Sequence, residues 1–213
     1  IGEIGIMKIL LASNNPKKAH ELRTILANSG IEILTLADVP HYDEPIEDGR
    51  TFADNALIKA RAGAQHTGLV TIADDSGFTV EELNGCPGVL SARWSGQHGD
   101  DQANNLLLLK QMAHVPEERR QAAFVSVCAL VVPNGEEHVV TGQWDGWMLT
   151  EPRGDNGFGY DPLFLPNEEF PNGRSSAQLS PAEKNALSHR GKALAQLVPI
   201  VTQLSQLSEA NSD

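Results

Sequence analysis

The chain has 213 residues, with 16 Lys and Arg against 28 Asp and Glu, a net charge of −12. That length fits one domain, divided at most into two lobes, with a core of real size. The acidity excludes sequence-blind nucleic-acid binding, no apolar run is as long as a membrane span, and the two cysteines, Cys86 and Cys128, have neither metal-ligand spacing nor a disulfide framework.

The first residues, 1–11, are broken by Glu3 and Lys8 and lack a signal-peptide layout. Met7 is the expected natural start, residues 1–6 an added extension, and the cytoplasm the expected location. Lys8 to Ala12 reads as a buried strand and Lys17 to Ala27 as a helix closed by Asn28-Ser-Gly30. Between them lies the polar turn Ser13-Asn-Asn-Pro-Lys-Lys18, with Pro16 near the helix start. Free N–H groups at that helix end, with Lys17 or Lys18 beside them, would make an anion site. An ordinary capped helix is the commoner meaning of the same residues. A second strand follows over Ile31 to Leu36, then a loop carrying Asp43, Glu44, Glu47 and Asp48. Such a cluster is usually solvated, although one of its carboxylates can join a cation site elsewhere. Thr51 is the expected N-cap of a helix from Phe52 to about Gln65, with Asp54 completing a capping box. Ala53, Ala56, Ala60 and Ala64 give that helix a face suited to close packing, and Asn55 and Lys59 form an i, i+4 polar pair.

The stretch Thr71-Ile-Ala-Asp-Asp-Ser-Gly-Phe78 concentrates the chemistry. Val70 to Ala73 is a buried strand by composition, expected to stop at Asp74 and turn through Ser76-Gly77 before Phe78 to Leu83 returns as a strand. Adjacent carboxylates at a buried strand tip repel each other and are costly to desolvate. A hard cation such as Mg²⁺ would compensate them; a solvated turn is the alternative. Further on, Asp100 to Met112 reads as a helix. Gln121 to Val132 and His138 to Trp144 read as a hairpin around Pro133-Asn-Gly135, with Cys128 as a core thiol. Asn156-Gly-Phe-Gly-Tyr-Asp-Pro162 is a glycine-rich loop with two aromatics. Ser180-Pro-Ala-Glu183 starts a helix, and the tail over 208–213 is expected to fray.

Taken together, Ser13-x-Asn15-x-x-Lys18, Glu47 with Gly49 and Thr51, Phe52-x-x-Asn55-Ala56-x-x-Lys59 and Ala73-Asp-Asp-Ser-Gly77 form the first half of a pattern. Gly85-x-Pro87-Gly88-x-x-Ser91-Ala92-Arg93, Gly157-Phe-Gly-Tyr-Asp-Pro162 and Lys184 with Ser188-His-Arg190 complete it. In this order they resemble the inosine triphosphate pyrophosphatase family, the Ham1-like enzymes that hydrolyse non-standard purine nucleoside triphosphates. The resemblance implies an α/β fold: an elongated mixed β-sheet flanked by helices, with two lobes around a central substrate cleft. It implies a single catalytic domain over 7–207, a homodimer and Mg²⁺ as cofactor. It makes Glu47 and Asp75 the metal carboxylates, and Asp75 also the group that activates water. Ser13, Asn15, Lys18 and Ser76 would bind phosphate, with Lys59 and Arg93 as further cations. Phe158 would stack on the purine within the Gly159-Tyr160 loop, while Asp161, Lys184, His189 and Arg190 read its edge.

Three alternatives compete with this reading, of which a nucleic-acid-binding module lacks the basic stripe it would need. An Asp-nucleophile phosphatase would need an alternating Asp-x-Asp, whereas Asp74 and Asp75 are adjacent. A non-catalytic nucleotide sensor would not need Asp75. One local expectation is sharp. On a straight helix, at about 100° per residue, positions 184 and 189 lie roughly 140° apart. For those side chains to converge, the helix must break near Ser188, a good N-cap.

Overall fold

A computed structural model of the chain describes residues 6–210. The expected extension over 1–6 therefore lies, Ile6 apart, outside the described residues, as do residues 211–213 of the expected tail. In order, the main elements are β1 (Met7–Leu11), α1 (Pro16–Ile25), β2 (Ile31–Leu34), α2 (Phe52–Thr67), β3 (Val70–Val80) and α3 (Asp101–Gln111). They continue with β4 (Gln121–Val131), β5 (Glu137–Met148), β6 (Phe164–Pro166), α4 (Pro181–Leu187) and α5 (His189–Ala210). The strands form one six-stranded sheet in the order β2-β1-β3-β4-β5-β6. It is mixed: β1 is parallel to β2 and β3, and β5 is antiparallel to β6. The α/β architecture agrees with the expectation. Among the described residues, no helix is long and apolar enough to cross a membrane.

The residues group into two compact units. The first holds the described residues up to Asp75, Val127–Thr141, and the described residues from Ala193. The second holds Ser76–Ser126 and Gly142–Lys192.

In the first unit, period-two alternation divides the strand residues between two faces. Ile9, Leu11, Ile33 and Ile72 pack with Ala19 and Leu22 of α1 and with Ala193, Leu197 and Val201 of α5. Ala73, Ala129 and Val131 point the other way and meet Ala56, Ala60 and Ala64 of α2. The alanine stripe brings α2 close: a Cβ at Gly63 would lie 2.7 Å from the Thr71 methyl. Helix α2 begins with the anticipated box, in which Thr51 Oγ1 accepts from the Asp54 N–H and the Asp54 carboxylate accepts from the Thr51 N–H. Such a cap is worth about 1 kcal/mol. Gly68, at φ +69°, ends the helix.

The second unit is built around aromatic side chains. Phe78 stacks on Tyr160 at 5.1 Å, and Phe164 meets both Phe124 and Trp144 edge-on at 4.9 and 5.2 Å. Such pairs add roughly 0.5–1.5 kcal/mol each beyond burial. Against this core lies Arg120, 3% exposed. Its guanidinium donates to the carbonyls of Met112, Val115, Met148 and Leu149 at 2.8–3.2 Å. Burial lowers its pKa, and the carbonyls at the end of α3 supply the compensating negative potential. Arg120→Ala should destabilise the protein by about 3 kcal/mol through the carbonyls it strands. Urea unfolding measures this, and an unmoved midpoint would show that the guanidinium holds nothing together.

Three local readings meet the structure differently. The expected turn at Asp74-Asp75-Ser76-Gly77 is absent, because β3 runs unbroken to Val80 and a short 3₁₀ turn over Glu81–Leu83 follows. Only the β1 side of β3 ends here: the last pair of that ladder is Leu11 with Ile72. The break at Ser188 is present. Ser188, at φ −67° and ψ 151°, leaves α4, and its carbonyl accepts from the Lys192 N–H in the first turn of α5. The tail, in contrast, is still helical at Ala210, where fraying had been expected from residue 208.

Candidate active site

Strand β1 sits between β2 and β3, so the chain leaves β1 in one direction and returns on its other side. The crossover helices α1 and α2 therefore cover opposite faces, and the switch point lies at the carboxyl end of β1, where its ladder with β3 ends. In open α/β sheets such a point is where ligands bind. The residues found there are Ser13 to Lys18 after β1, and Asp74 and Asp75 on β3.

Because β3 stays extended, its adjacent aspartates face opposite ways. Asp74 shares a face with Ile72 and meets α1, where Lys18 Nζ lies 2.9 and 2.8 Å from its two oxygens. Asp75 shares a face with Ala73 and meets α2, where Asn55 Nδ2 donates to its Oδ2 at 3.1 Å. Asn55 is 3% exposed, and its Oδ1 accepts from the Gly49 N–H at 2.8 Å. One buried amide thus ties Asp75 to the acidic loop. In that loop Glu47 pairs with Lys59 Nζ at 3.2 Å. Burial pushes the Asp75 carboxyl above its usual range; Asn55 and the Lys59 charge oppose this, and the Glu47 and Asp74 charges add to it.

The acidic loop is therefore not merely solvated. With Ala12, Ser13, Leu36, Tyr42 and Lys59, its Glu44 and Glu47 wall a cavity of about 330 Å³. Asn15 also caps α1, its Oδ1 accepting from the Lys17 N–H, while Ser13 Oγ accepts from the Asn15 N–H just ahead of the helix. The capping reading of this turn holds, and Ser13 lines the cavity as well. Lys18 faces the Asp74 carboxylate, not open solvent.

Glu47 and Asp75 offer only hard oxygen donors, and the raised pKa of Asp75 reflects burial that a cation would relieve. Among the described residues, no group of three or more His, Cys, Asp or Glu is placed to hold a metal. Two carboxylates with the remaining ligands from phosphates and water is the habit of Mg²⁺, so the residues fit that ion.

The second unit carries the other group of expected site residues. Phe158 is 64% exposed, and Lys184 Nζ lies 4.9 Å from its ring centroid. Lys184 is salt-bridged to Asp161 at 2.5 Å. The Asp161 carboxylate, 1% exposed, also accepts from Ser176 Oγ at 2.8 Å and from the Phe158 N–H at 2.9 Å. Gly157 stands at φ +75°, and any Cβ there would strike that carboxylate. Asp161 thus organises the loop from within. Tyr160 is likewise internal: its hydroxyl donates to the Ser91 carbonyl at 2.6 Å. His189 stacks on Phe124 at 5.2 Å. Arg190, next to it, has a buried Nε without a hydrogen-bond partner. Arg93 ends a 3₁₀ segment and is exposed, and Ser76 follows Asp75 along β3.

Two features were invisible in the sequence. The pairing of Lys18 with Asp74 follows from alternation along β3, a signal available only once the strand is known to continue. The bridge made by Asn55 needed a third partner, Gly49, that helical spacing does not reveal.

Comparison with known proteins agrees with the motif pattern. The sequence profile of the Ham1 family matches residues 9–200. The dITP/XTP pyrophosphatase of Corynebacterium diphtheriae is 71% identical over 204 residues, which is 93% of this chain and 99% of that protein. The crystal structure of the nucleoside-triphosphatase, dITP/XTP pyrophosphatase, from Mycobacterium abscessus superposes with a TM-score of 0.80 at 59% identity, covering 91% of this chain and 100% of that one. A HAM1 protein from Coxiella burnetii gives a TM-score of 0.83 at 39% identity, over 92% and 99% of the two chains.

Proposed function

Since the chain belongs to the Ham1 family, we infer that it is a nucleoside triphosphate pyrophosphatase acting on the non-standard purine nucleotides ITP, dITP and XTP. It releases the nucleoside monophosphate and pyrophosphate, and so clears these nucleotides from the pool. One observation carries the chemistry: a desolvated carboxylate, Asp75, tied through Asn55 to the Glu47 loop beside the Lys59 cation. A sensor needs no such group, and an Asp-nucleophile phosphatase needs an aspartate that can reach phosphorus unencumbered.

Glu47 and Asp75 would hold Mg²⁺, which supplies charge neutralisation to the phosphate oxygens. Asp75 orients a water molecule and accepts its proton as it attacks the α-phosphorus. Ser13, Asn15 and Ser76, with Lys18, Lys59 and Arg93, bind the triphosphate. This places few cations where the substrate is most anionic, consistent with a chain of net charge −12. Phe158 stacks on the purine, Lys184 and Asp161 support it, and His189 and Arg190 read the base. The buried, unpartnered Nε of Arg190 favours an acceptor supplied by the ligand. Residues 7–207 form the catalytic domain, working in the cytoplasm as a homodimer, a state that sedimentation velocity would test.

The bond that is cut decides between mechanisms. Hydrolysis in ¹⁸O-water should label the monophosphate and leave pyrophosphate unlabelled. Label in orthophosphate, with a nucleoside diphosphate as co-product, would overturn the reading.

A further inference from the structure

Phe158 exposes most of its ring, yet its backbone is held on every side. Its own N–H goes to Asp161 at 2.9 Å. The next residue, Gly159, stands at φ +60° and has both its polar groups taken by α3. Its N–H donates to Asp101 Oδ2 at 2.7 Å, and its carbonyl accepts from Asn105 Nδ2 at 3.0 Å. Asp101 and Asn105 are an i, i+4 pair, so they rise from one face of the helix. Helix α3 is itself anchored by the intervening Asn104, 1% exposed, which accepts from the Ser95 N–H at 2.7 Å and donates to the Ala92 carbonyl at 3.2 Å. The charge of Asp101 also helps burial to raise the pKa of Tyr160, whose hydroxyl is bound to Ser91.

The clamp carries a local penalty. With Nδ2 committed to Gly159, Asn105 Oδ1 is buried without a hydrogen-bond partner, an arrangement that calls for a compensating role. An exposed aromatic on a mobile glycine loop would have to be ordered by each arriving ligand, which subtracts from affinity. A clamped one is ordered beforehand.

We propose that Asp101 and Asn105 are positioning residues for the purine: by gripping Gly159 at both ends, they hold the Phe158 ring in its stacking position before nucleotide binds. The proposal deepens the reading of Phe158 given above and rests on it. The role is one of affinity, not of chemistry, and that separates it from a general structural contribution.

The test measures ITP hydrolysis, melting temperature and hydrogen exchange over residues 156–162 in Asp101→Ala, Asn105→Ala, Asp101→Asn and Phe158→Ala. Both clamp alanine variants should raise KM about tenfold, the scale of ordering one loop residue on binding. Their kcat should stay within about threefold of the parent, the loop should exchange faster, and the melting temperature should hold. Asp101→Asn retains an acceptor for the Gly159 N–H, so its KM should stay near the parent value. A KM unmoved in both alanine variants, or one that Asp101→Asn does not restore, overturns the proposal. Phe158→Ala locates the failure: if it too leaves KM unmoved, the stacking role is wrong, and if it alone raises KM, only the clamp is wrong.

Discussion

Asp75→Asn is expected to lower turnover by about 10²–10⁴-fold, the usual range for a lost general base, while nucleotide affinity changes little. The substitution preserves shape and keeps an acceptor for Asn55 Nδ2, which donates to Asp75 at 3.1 Å. What it removes is the charge that serves water and cation. Stability supplies an internal control. A carboxyl whose pKa is raised by burial destabilises the fold when ionised, above its unfolded pKa, and the penalty is relieved as falling pH protonates it. A neutral amide at 75 removes that penalty along with the repulsion from Glu47 and Asp74. The variant should therefore melt no lower than its parent at neutral pH. Single-turnover rates at saturating Mg²⁺, read beside a melting curve, check both halves. A stable variant with near-parental turnover would show that Asp75 is structural.

Base selectivity should be the second large effect. Arg190 carries five N–H donors and no acceptor, so it satisfies a purine 6-keto oxygen and opposes an adenine 6-amino group donor to donor. Sites that hydrogen-bond a required group discriminate by about 10⁴–10⁵ in kcat/KM, and ITP should exceed ATP by a margin of that order. The break at Ser188 makes the assignment geometrically reasonable. It starts a new helix at His189, so Arg190 does not share one helical register with Lys184. Arg190→Ala should narrow the ITP-to-ATP ratio by more than it lowers the rate on ATP, measured as kcat/KM on both nucleotides. Equal loss on the two would assign Arg190 to phosphate binding or to the fold. GTP also carries the 6-keto oxygen, so its exclusion requires a further contact at the 2-amino position.

Much of this molecule was legible as sequence, because the signals involved are local. Capping residues, turn glycines and the alternation of apolar side chains act over a few positions. They located α1, α2, α3, β4 and the start of α4, and even the break at Ser188, where the requirement that distant side chains converge met a good N-cap. The family pattern was legible too, since its motif blocks kept their order along the chain. The fate of the Asp74-Asp75 pair was decided only by tertiary structure. Locally, two carboxylates followed by Ser-Gly have the composition of a turn. In the sheet, β3 stays extended because its ladder outlasts β1, and extension sends the two carboxylates to opposite faces. Asp74 goes to Lys18 and Asp75 to Asn55, so one becomes the partner of a cation and the other a desolvated candidate base. The grip of α3 on Gly159 has the same origin. Its bonds join residues 54 and 58 positions apart, and no periodicity within either segment records a contact made across that distance.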